Sequence, residues 1–480
     1  MTFANRSLVT IDDLSNGEIE AAFSLADKMS EAMDKQSSIC RGKIMASLFF
    51  ESSTRTRLSF EAAMHRLGGS VITTVDRDST SLAKSESLAD MAKIVGSYAD
   101  IIVLRHPWEG AAKVAADYAG VPVINAGDGG HEHPTQTLCD LYTLKKERQT
   151  IDGLKIALFG DLKNGRTIHS LTYALARFGA TILFPPSAGR ELPEYVKRKL
   201  TTEYKGQFKK YEDLPPSVQK RLSPLDAIYI TPSSSHQLTM MPDINIDLKL
   251  KAMKAGVDAL YVTRLQMERL SSKAEGERLQ EGYPVVDKKF LKGKEFRKAL
   301  VMHPLPRLDE LAYEVDADPK SMYFQQAARG VPVRMAIIAL LLGIRDVSVP
   351  IEDDSSVPKR DYPLYQHDFG FIKHNSKCVS EQDTEKSYIK PEFKIISKEP
   401  LILSCVYCEH EIYPHYIASS DPHHEKSLDG KKYHSASTYW IRNIKPESLI
   451  IFDSESEAKA HGFKPSYYAR ARHQRNDKGN

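Results

Sequence analysis

The chain has 480 residues, 41% hydrophobic and 27% charged, with a formal net charge of +3. This excludes a disordered or fibrous chain, and so small a positive excess leaves no electrostatic footprint for nucleic acid. The longest apolar runs, such as Met335 to Ile344, are about half a membrane span, and no basic-then-apolar leader opens the sequence. A cytoplasmic protein with no membrane or nucleic-acid partner is therefore expected. Five cysteines do not make a disulfide framework.

Residues 1–149 alternate strand-like and helix-like segments. The first expected strand, Ile44–Phe50, runs through Glu51 and Ser52 into Ser53-Thr54-Arg55-Thr56-Arg57. An amphipathic helical pattern then carries Leu58, Phe60, Met64 and Leu67 and stops at Gly68-Gly69. A strand that turns into a helix at a hydroxyl-rich, Arg-bearing loop is an anion site. Free backbone N–H groups and the positive end of the helix dipole face the loop, and the side chains add charge-assisted hydrogen bonds. An ordinary N-cap needs one hydroxyl, and this loop supplies Ser53, Thr54 and Thr56. Further strands are expected at Ser70–Val75, Ile101–Leu104 and Val121–Asn125, in the βαβ rhythm of a parallel sheet.

The rhythm restarts at Leu154–Gly160. A helix (Thr167–Phe178), a strand (Ala180–Phe184) and later strands at Ala227–Ile230 and Ala259–Val262 point to a second α/β domain over 150–319. A long helix within 320–347 is expected to return to the first domain. Polar clusters follow the strands: Arg105-His106-Pro107, the Gly-rich run from Asn125 through His133-Pro134-Thr135-Gln136, Asp161 to Thr167, Thr263-Arg264-Leu265-Gln266, and His303-Pro304-Leu305-Pro306-Arg307. Open α/β sheets hold their ligands at these strand ends. Composition changes after Pro350. Residues 351–373 read as a linker, and 374–480 hold three of the five cysteines. Cys405-Val406-Tyr407-Cys408 is half of a zinc site, and the other half is expected near Cys378. Cys40 and Cys139 read as buried thiols.

On the motifs Ser53 to Arg57, His133 to Gln136, Asp161 to Thr167, Thr263 to Gln266 and His303 to Arg307, residues 5–348 resemble the catalytic subunit of aspartate transcarbamoylases. The resemblance implies two doubly wound parallel-sheet domains, one for carbamoyl phosphate (1–149, with the returning helix) and one for aspartate (150–319). It implies condensation of carbamoyl phosphate with L-aspartate, in pyrimidine (UMP) biosynthesis, with no catalytic cofactor. Carried over residue by residue, Ser53, Thr54, Arg55, Thr56 and Arg105 hold the phosphate. Thr56, Arg105 and His133 act catalytically on the carbamoyl oxygen. Gln136, with the carbonyls of Pro304 and Leu305, takes the carbamoyl amine. Arg166, Arg264, Gln266 and Lys84 bind aspartate, and the planar fork of arginine suits its carboxylates. Ser81 and Lys84 would come from a neighbouring subunit, which implies a homotrimer. Ser85 follows that lysine where relatives often carry glycine. The spacing from Arg166 to Arg264 exceeds the family's, with the excess placed within 205–250 and a strand of its own expected at Ala227–Ile230. The alternative is an ornithine or other amino-acid carbamoyltransferase. That reading is disfavoured because His303-Pro304-Leu305-Pro306 replaces the ornithine enzyme's His-Cys-Leu-Pro. A non-catalytic homologue would have lost some of the polar set, and all of it is present.

Residues 374–425 resemble the zinc domain of the aspartate transcarbamoylase regulatory chain, which implies a zinc-ribbon-like β module and possible assembly through it. Its first cysteine is replaced by Lys373, so His374 with Cys378, Cys405 and Cys408 is the expected structural Zn2+ set, with His410 and His415 as alternatives. Residues 351–373 are too few for that chain's nucleotide-binding domain. Residues 426–480 resemble, weakly, the small metal-binding module of Ada-type repair proteins with its cysteines lost, and imply a metal-free βα scaffold.

Overall fold

A computed structural model describes residues 3–33, 38–75, 85–159, 162–163, 165–183, 191–204, 209–210, 227–230, 258–264, 285–293, 296–345, 361–366, 374–390, 392–421, 431–437 and 439–466. The first sheet is parallel with the order β2-β1-β3-β4. Its strands are β1 (Ile44–Phe49), β2 (Ser70–Thr74), β3 (Ile101–His106) and β4 (Val123–Asp128). All of β3 and β4 is buried, as expected of strands covered on both faces by helices. The order reverses between β1 and β3, so a crevice opens beyond the carboxyl ends of those two strands. The hydroxyl–arginine loop follows one of them, and Arg105 lies at the end of the other.

The second sheet is also parallel, with the order β10-β9-β8-β5-β6-β7. It comprises β5 (Lys155–Phe159), β6 (Thr181–Leu183), β7 (Lys209–Lys210), β8 (Ala227–Ile230), β9 (Ala259–Val262) and β10 (Leu300–Met302). The strand expected at Ala227–Ile230 is present and lies between β5 and β9. Sheet order is set by long-range packing, and the local apolar pattern that reveals the strand carries no information about its neighbours. The rest of 205–250, apart from 209–210, lies outside the described residues.

Helices join the two sheets. They are α1 (Asn16–Glu31), α2 (Thr54–Arg66), α3 (Leu88–Gly96), α4 (Ala111–Tyr118), α5 (Pro134–Arg148), α6 (Arg166–Arg177), α7 (Glu194–Thr202), the short α8 (Lys288–Leu291) and the returning helix α9 (Tyr323–Leu341). One apolar cluster runs from Phe23, Phe60 and Leu141 through Leu171 to Ile338 and Leu341, so α9 is packed into both units. No helix among the described residues is long and apolar enough to cross a membrane.

The third sheet is antiparallel, β11-β12-β13-β14. Its strands are β11 (Leu364–Gln366), β12 (Glu392–Lys398), β13 (Leu401–Cys405) and β14 (Glu411–Ile412). β11 comes from the stretch expected to be linker. Tyr365 is buried there between two exposed neighbours and pairs with Phe393. The fourth sheet, β17-β15-β16-β18, takes β15 (Tyr416–Ser419), β16 (Lys432–Ser435), β17 (Leu449–Phe452) and β18 (Lys464–Pro465), with α10 (Glu455–Ala460) beside it.

The third sheet packs against the first. Leu48, Leu88, Ile102, Leu104 and Val114 share one apolar cluster with Phe393, Leu403, Cys405, Tyr407 and Ile417. Around that contact the backbone of Glu109 pairs with the facing segment (Glu109 N–H to Lys377 O and Val379 N–H to Glu109 O, both 2.9 Å). Glu385 accepts from the Leu88 N–H (2.8 Å), and the Tyr388 hydroxyl donates to Asp90 (2.6 Å). α7 reaches the same module, with Arg198 on Glu411 (2.7 Å) and Lys199 on Glu409 (3.1 Å).

Candidate active site

A cavity of about 360 Å³ opens at the β1–β3 crevice and extends to the second sheet. Ser52 to Thr56, Arg105, His133, Gln136, Arg166, Arg264, Pro304 and Leu305 line it. The structure thus brings together every expected substrate residue that it describes. Ser81, Lys84 and Gln266 lie outside the described residues.

The cavity is built by helix starts. Helix α2 begins at Thr54, so Thr54 to Arg57 form its first turn, whereas the apolar pattern places the helix only from Leu58. Its N-cap is Ser53, whose side chain makes no capping hydrogen bond. The first-turn N–H groups and the Ser53 hydroxyl are therefore presented to the crevice, as an anion site requires. Helix α5 begins at Pro134, a residue suited to that position, and places His133 at its N-cap. Helix α6 starts at Arg166.

Five arginines face the cavity: Arg55, Arg105, Arg166, Arg264 and Arg334. No aspartate or glutamate lines it among the described residues. Burial, and then the charge of Arg264, push the Arg55 guanidinium below its ordinary range. Cations held this close repel one another, and a polyanion between them relieves the repulsion. One carboxylate behind the wall sets the arrangement. Glu51 lies 2.9 Å from Arg166 and 3.4 Å from Arg105. Arg166 also donates to Gly129 O (2.8 Å), and Arg105 to Ala126 O (3.3 Å). Gly127 has φ +117°, and a Cβ there would sit 3.0 Å from the Arg166 guanidinium carbon and 3.3 Å from Arg105 Nη1. At this φ an L side chain is strained, and its Cβ would also press on both guanidiniums, so glycine suits this end of β4.

The loop after β10 is held by its own histidine. The His303 ring accepts the Leu305 N–H at Nδ1 (2.8 Å), which puts the proton on Nε2, facing Glu310 (2.9 Å). Burial lowers the His303 pKa, so the ring is neutral in this role. These bonds hold Leu305 at φ +54°, a left-handed conformation that L-residues rarely adopt. Ser85 has φ +67°, which gives a physical reason why glycine suits the position after the expected loop lysine.

Glu51 and Arg334 were missed by sequence reasoning. Glu51 adjoins the motif but carries no signal of its pairing. Arg334 had one readable signal: an arginine inside the apolar run of the returning helix. It is buried, stacks over Phe60 (4.9 Å) and reaches Cys139 Sγ (3.4 Å). Cys139, expected to be an ordinary buried thiol, lines the cavity.

Glu132, beside His133, is buried and accepts from the Ile11 N–H (2.9 Å) and the Ser170 hydroxyl (3.1 Å). The Ser170 oxygen in turn accepts the His133 N–H (3.0 Å). Burial raises the Glu132 pKa to about 8 from 4.5. A raised folded-state pKa means that its stabilisation is full below about 4.5 and is lost as pH rises through about 8. Glu132→Gln, which mimics the protonated form, is expected to gain thermal stability over wild type as pH rises from about 5 to about 9. Melting curves across that range check it, and a constant or shrinking difference would show that Glu132 is ionised in the fold.

The third sheet gathers His374, Cys378, Cys405 and Cys408, with one ligand atom of each within 4.8 Å of all the others. Cys378 Sγ and Cys405 Sγ are 3.8 Å apart, and Cys408 Sγ is 3.3 Å from His374 Nε2. The edge of a tetrahedron with zinc–sulfur bonds is about 3.8 Å. The His374 Nδ1 lies 3.0 Å from Glu381, the carboxylate support usual behind a metal-bound histidine. All three thiols are free and buried. The set fits structural zinc. His410, one alternative ligand, lies outside this set but within 4.8 Å of Cys408 and Glu109 by their ligand atoms, with its ring tilted against Tyr195.

Three family models match the chain. The carbamoyl-phosphate-binding domain of aspartate/ornithine carbamoyltransferases covers residues 6–146, their aspartate/ornithine-binding domain 233–341, and the metal-binding domain of the aspartate carbamoyltransferase regulatory chain 370–418. The aspartate carbamoyltransferase catalytic subunit of Thermoplasma acidophilum is 44% identical over 341 residues, which is 71% of this chain and 99% of that one. The catalytic subunit of Thermococcus kodakarensis is 43% identical over 351 residues, covering 72% of this chain and 100% of its own. Among solved structures, the M. jannaschii aspartate transcarbamoylase catalytic subunit superposes with a TM-score of 0.55 at 42% identity, over 70% of this chain and 98% of that one. The Trypanosoma cruzi aspartate transcarbamoylase in complex with carbamoyl phosphate and aspartate gives 0.57 at 34%, over 71% and 98%.

Proposed function

The chain belongs to the aspartate/ornithine carbamoyltransferase family, and from that membership we propose how its cavity performs the reaction. It is an aspartate carbamoyltransferase: carbamoyl phosphate and L-aspartate give N-carbamoyl-L-aspartate and phosphate, a step of pyrimidine biosynthesis. The observation that carries the proposed roles is a wall of five arginines without a carboxylate among the described residues.

The phosphate sits at Ser53, Thr54, Arg55 and Thr56 over the start of α2, with Arg105 beside it. The aspartate amine attacks the carbamoyl carbon as the free base. A C–N bond forms, the C–O bond to phosphate breaks, and the amine proton passes to the departing phosphate. Negative charge grows on the carbamoyl oxygen, and Thr56, Arg105 and His133 donate to it. Donors preplaced in a water-poor site lower such a barrier by ~3 kcal/mol each. Gln136, Pro304 O and Leu305 O accept from the carbamoyl amine. Arg166 and Arg264 take the aspartate carboxylates, aided by Gln266 and Lys84. Positioning and charge suffice, because phosphate is a good leaving group and no cofactor is required.

The assay that tests this offers L-aspartate and L-ornithine in parallel with carbamoyl phosphate. Carbamoyl aspartate alone is expected; citrulline would overturn the roles of Arg166 and Arg264.

The active unit is a homotrimer in the cytoplasm. Support for the trimer comes from the edge strand β2 and the helix α2 beside it. Leu58, Ile72 and Val75 are half-exposed there, just ahead of the segment carrying Ser81 and Lys84. An edge strand with an apolar face is a surface that a second copy covers. Sedimentation should give about three times 53.9 kDa, and a monomeric active enzyme would refute it.

A further inference from the structure

We propose that Asp140 is a positioning and specificity-determining residue: it turns the amides around it so that only oxygen acceptors face the carbamoyl amine. This rests on the reading that Gln136, Pro304 and Leu305 meet that amine.

Asp140 is fully buried in α5, one turn beyond Gln136. Its Oδ1 accepts from Gln136 Nε2 (2.8 Å) and from Gln326 Nε2 (2.8 Å), and its Oδ2 accepts from the Tyr261 hydroxyl (3.0 Å). These partners come from α5, from the returning helix α9 and from β9 of the second sheet. Oδ1 accepts from both glutamines, so each turns its NH2 toward Asp140 and its oxygen away. For Gln326, that oxygen accepts the His303 N–H (2.9 Å). His303 in turn accepts the Leu305 N–H through its ring. Asp140 therefore anchors the loop carrying the Pro304 and Leu305 carbonyls. For Gln136, which lines the cavity, the oxygen meets no hydrogen-bond donor among the described residues and is left for a ligand.

A carbamoyl group offers two N–H donors where an acetyl group offers none. A wall of fixed acceptors binds the first and leaves unpaired oxygens against the second. Free glutamines would rotate and present NH2 as readily as oxygen, and the selection would be lost. Burying a carboxylate at this junction is costly, and burial raises its pKa to about 7 against the three donors that lower it. The donors on this side chain offset that cost and give it a use at the cavity wall.

The test is steady-state kinetics of Asp140→Ala, Asp140→Asn and Gln136→Ala, with inorganic phosphate and acetyl phosphate as competing inhibitors. Asp140→Ala is expected to raise the KM for carbamoyl phosphate about 10-fold or more. Inhibition by phosphate, which meets only the α2 end of the cavity, should stay within about twofold, so preference over acetyl phosphate narrows. Asp140→Asn keeps an acceptor toward both glutamines and should restore carbamoyl phosphate binding to within about threefold. Equal weakening of phosphate and carbamoyl phosphate by Asp140→Ala, or no change in either, overturns the proposal. If Gln136→Ala leaves the carbamoyl phosphate KM unchanged, the reading of that wall falls and takes Asp140 with it. If Gln136→Ala raises it and Asp140→Ala does not, only the Asp140 proposal falls. Should Asp140→Ala fail to fold, Gln326→Leu removes the Gln326 bonds to both Asp140 and His303 and leaves Gln136 and Tyr261 on Asp140. It must then raise the carbamoyl phosphate KM without moving phosphate inhibition, or the proposal is wrong.

Discussion

Replacing Arg105 by alanine is expected to lower kcat by about 10²–10³-fold at saturating substrates. Arg105 is buried near the end of β3, between Glu51 and the Ala126 carbonyl, and lines the cavity with the first turn of α2, where the proposed phosphate and carbamoyl positions meet. Its removal takes away a cation where negative charge grows and releases Glu51 from one of its two arginines. Arg105→Lys should recover only part of the loss, because an ammonium cannot reproduce the planar fork that meets two oxygens at once. Arg264→Ala is the contrast. It should act mainly on the aspartate KM, since Arg264 follows β9 on the other side of the cavity. Steady-state kinetics of the three variants decide it. A fall in kcat below about threefold for Arg105→Ala would remove this residue from the chemistry.

Loss of the zinc-type site should have the second large effect. Cys405→Ser, or prolonged treatment with a strong chelator, is expected to unfold the third sheet and lower Tm by about 10 °C or more. The cluster ties β13, the CxxC turn after it and the segment before β12 at one point, and these short strands have little core apart from the one they share with the first sheet. Freed from it, Leu48, Ile102, Leu104 and Val114 would lose their cover, so aggregation should accompany the transition. Activity should fall as well, by a traceable route. Glu109 takes the Gly130 N–H (3.2 Å) and the Asn375 amide (2.6 Å), and the Gly129 carbonyl next to it holds Arg166. Zinc content, calorimetry and the aspartate KM measured on one sample check the prediction. An unchanged melt after complete metal removal would make the cluster a set of reduced thiols without a structural ion.

Much of the catalytic part was legible because its signals are local. The turn from β1 into α2, the polar clusters at strand ends and the CxxC pair each sit within a few residues, where residue type and periodicity speak directly. The start of α2 was misplaced by a turn because Thr54 to Arg57 are polar, and an apolar period cannot register a turn that faces a ligand. β11 was hidden for a related reason. With one buried residue, Tyr365, between two exposed ones, it is too short to show a period, and only pairing with β12 makes it a strand.

The sequence by itself determined the chemistry of the cavity: which hydroxyls, guanidiniums and thiols are available, and that they stand where strands end. Only the tertiary structure decided how they are held. Glu51 between Arg105 and Arg166, Asp140 beneath Gln136 and Gln326, β8 in the middle of its sheet, and the third sheet docked on both α/β units are all partnerships at a distance. Asp140 and Gln326 are 186 positions apart, and Leu88 and Glu385 are 297. The physical reason is the same in each case. A side chain's type fixes what it can donate or accept, but which group it meets is fixed by sheet order and core packing, and these are properties of the whole folded chain.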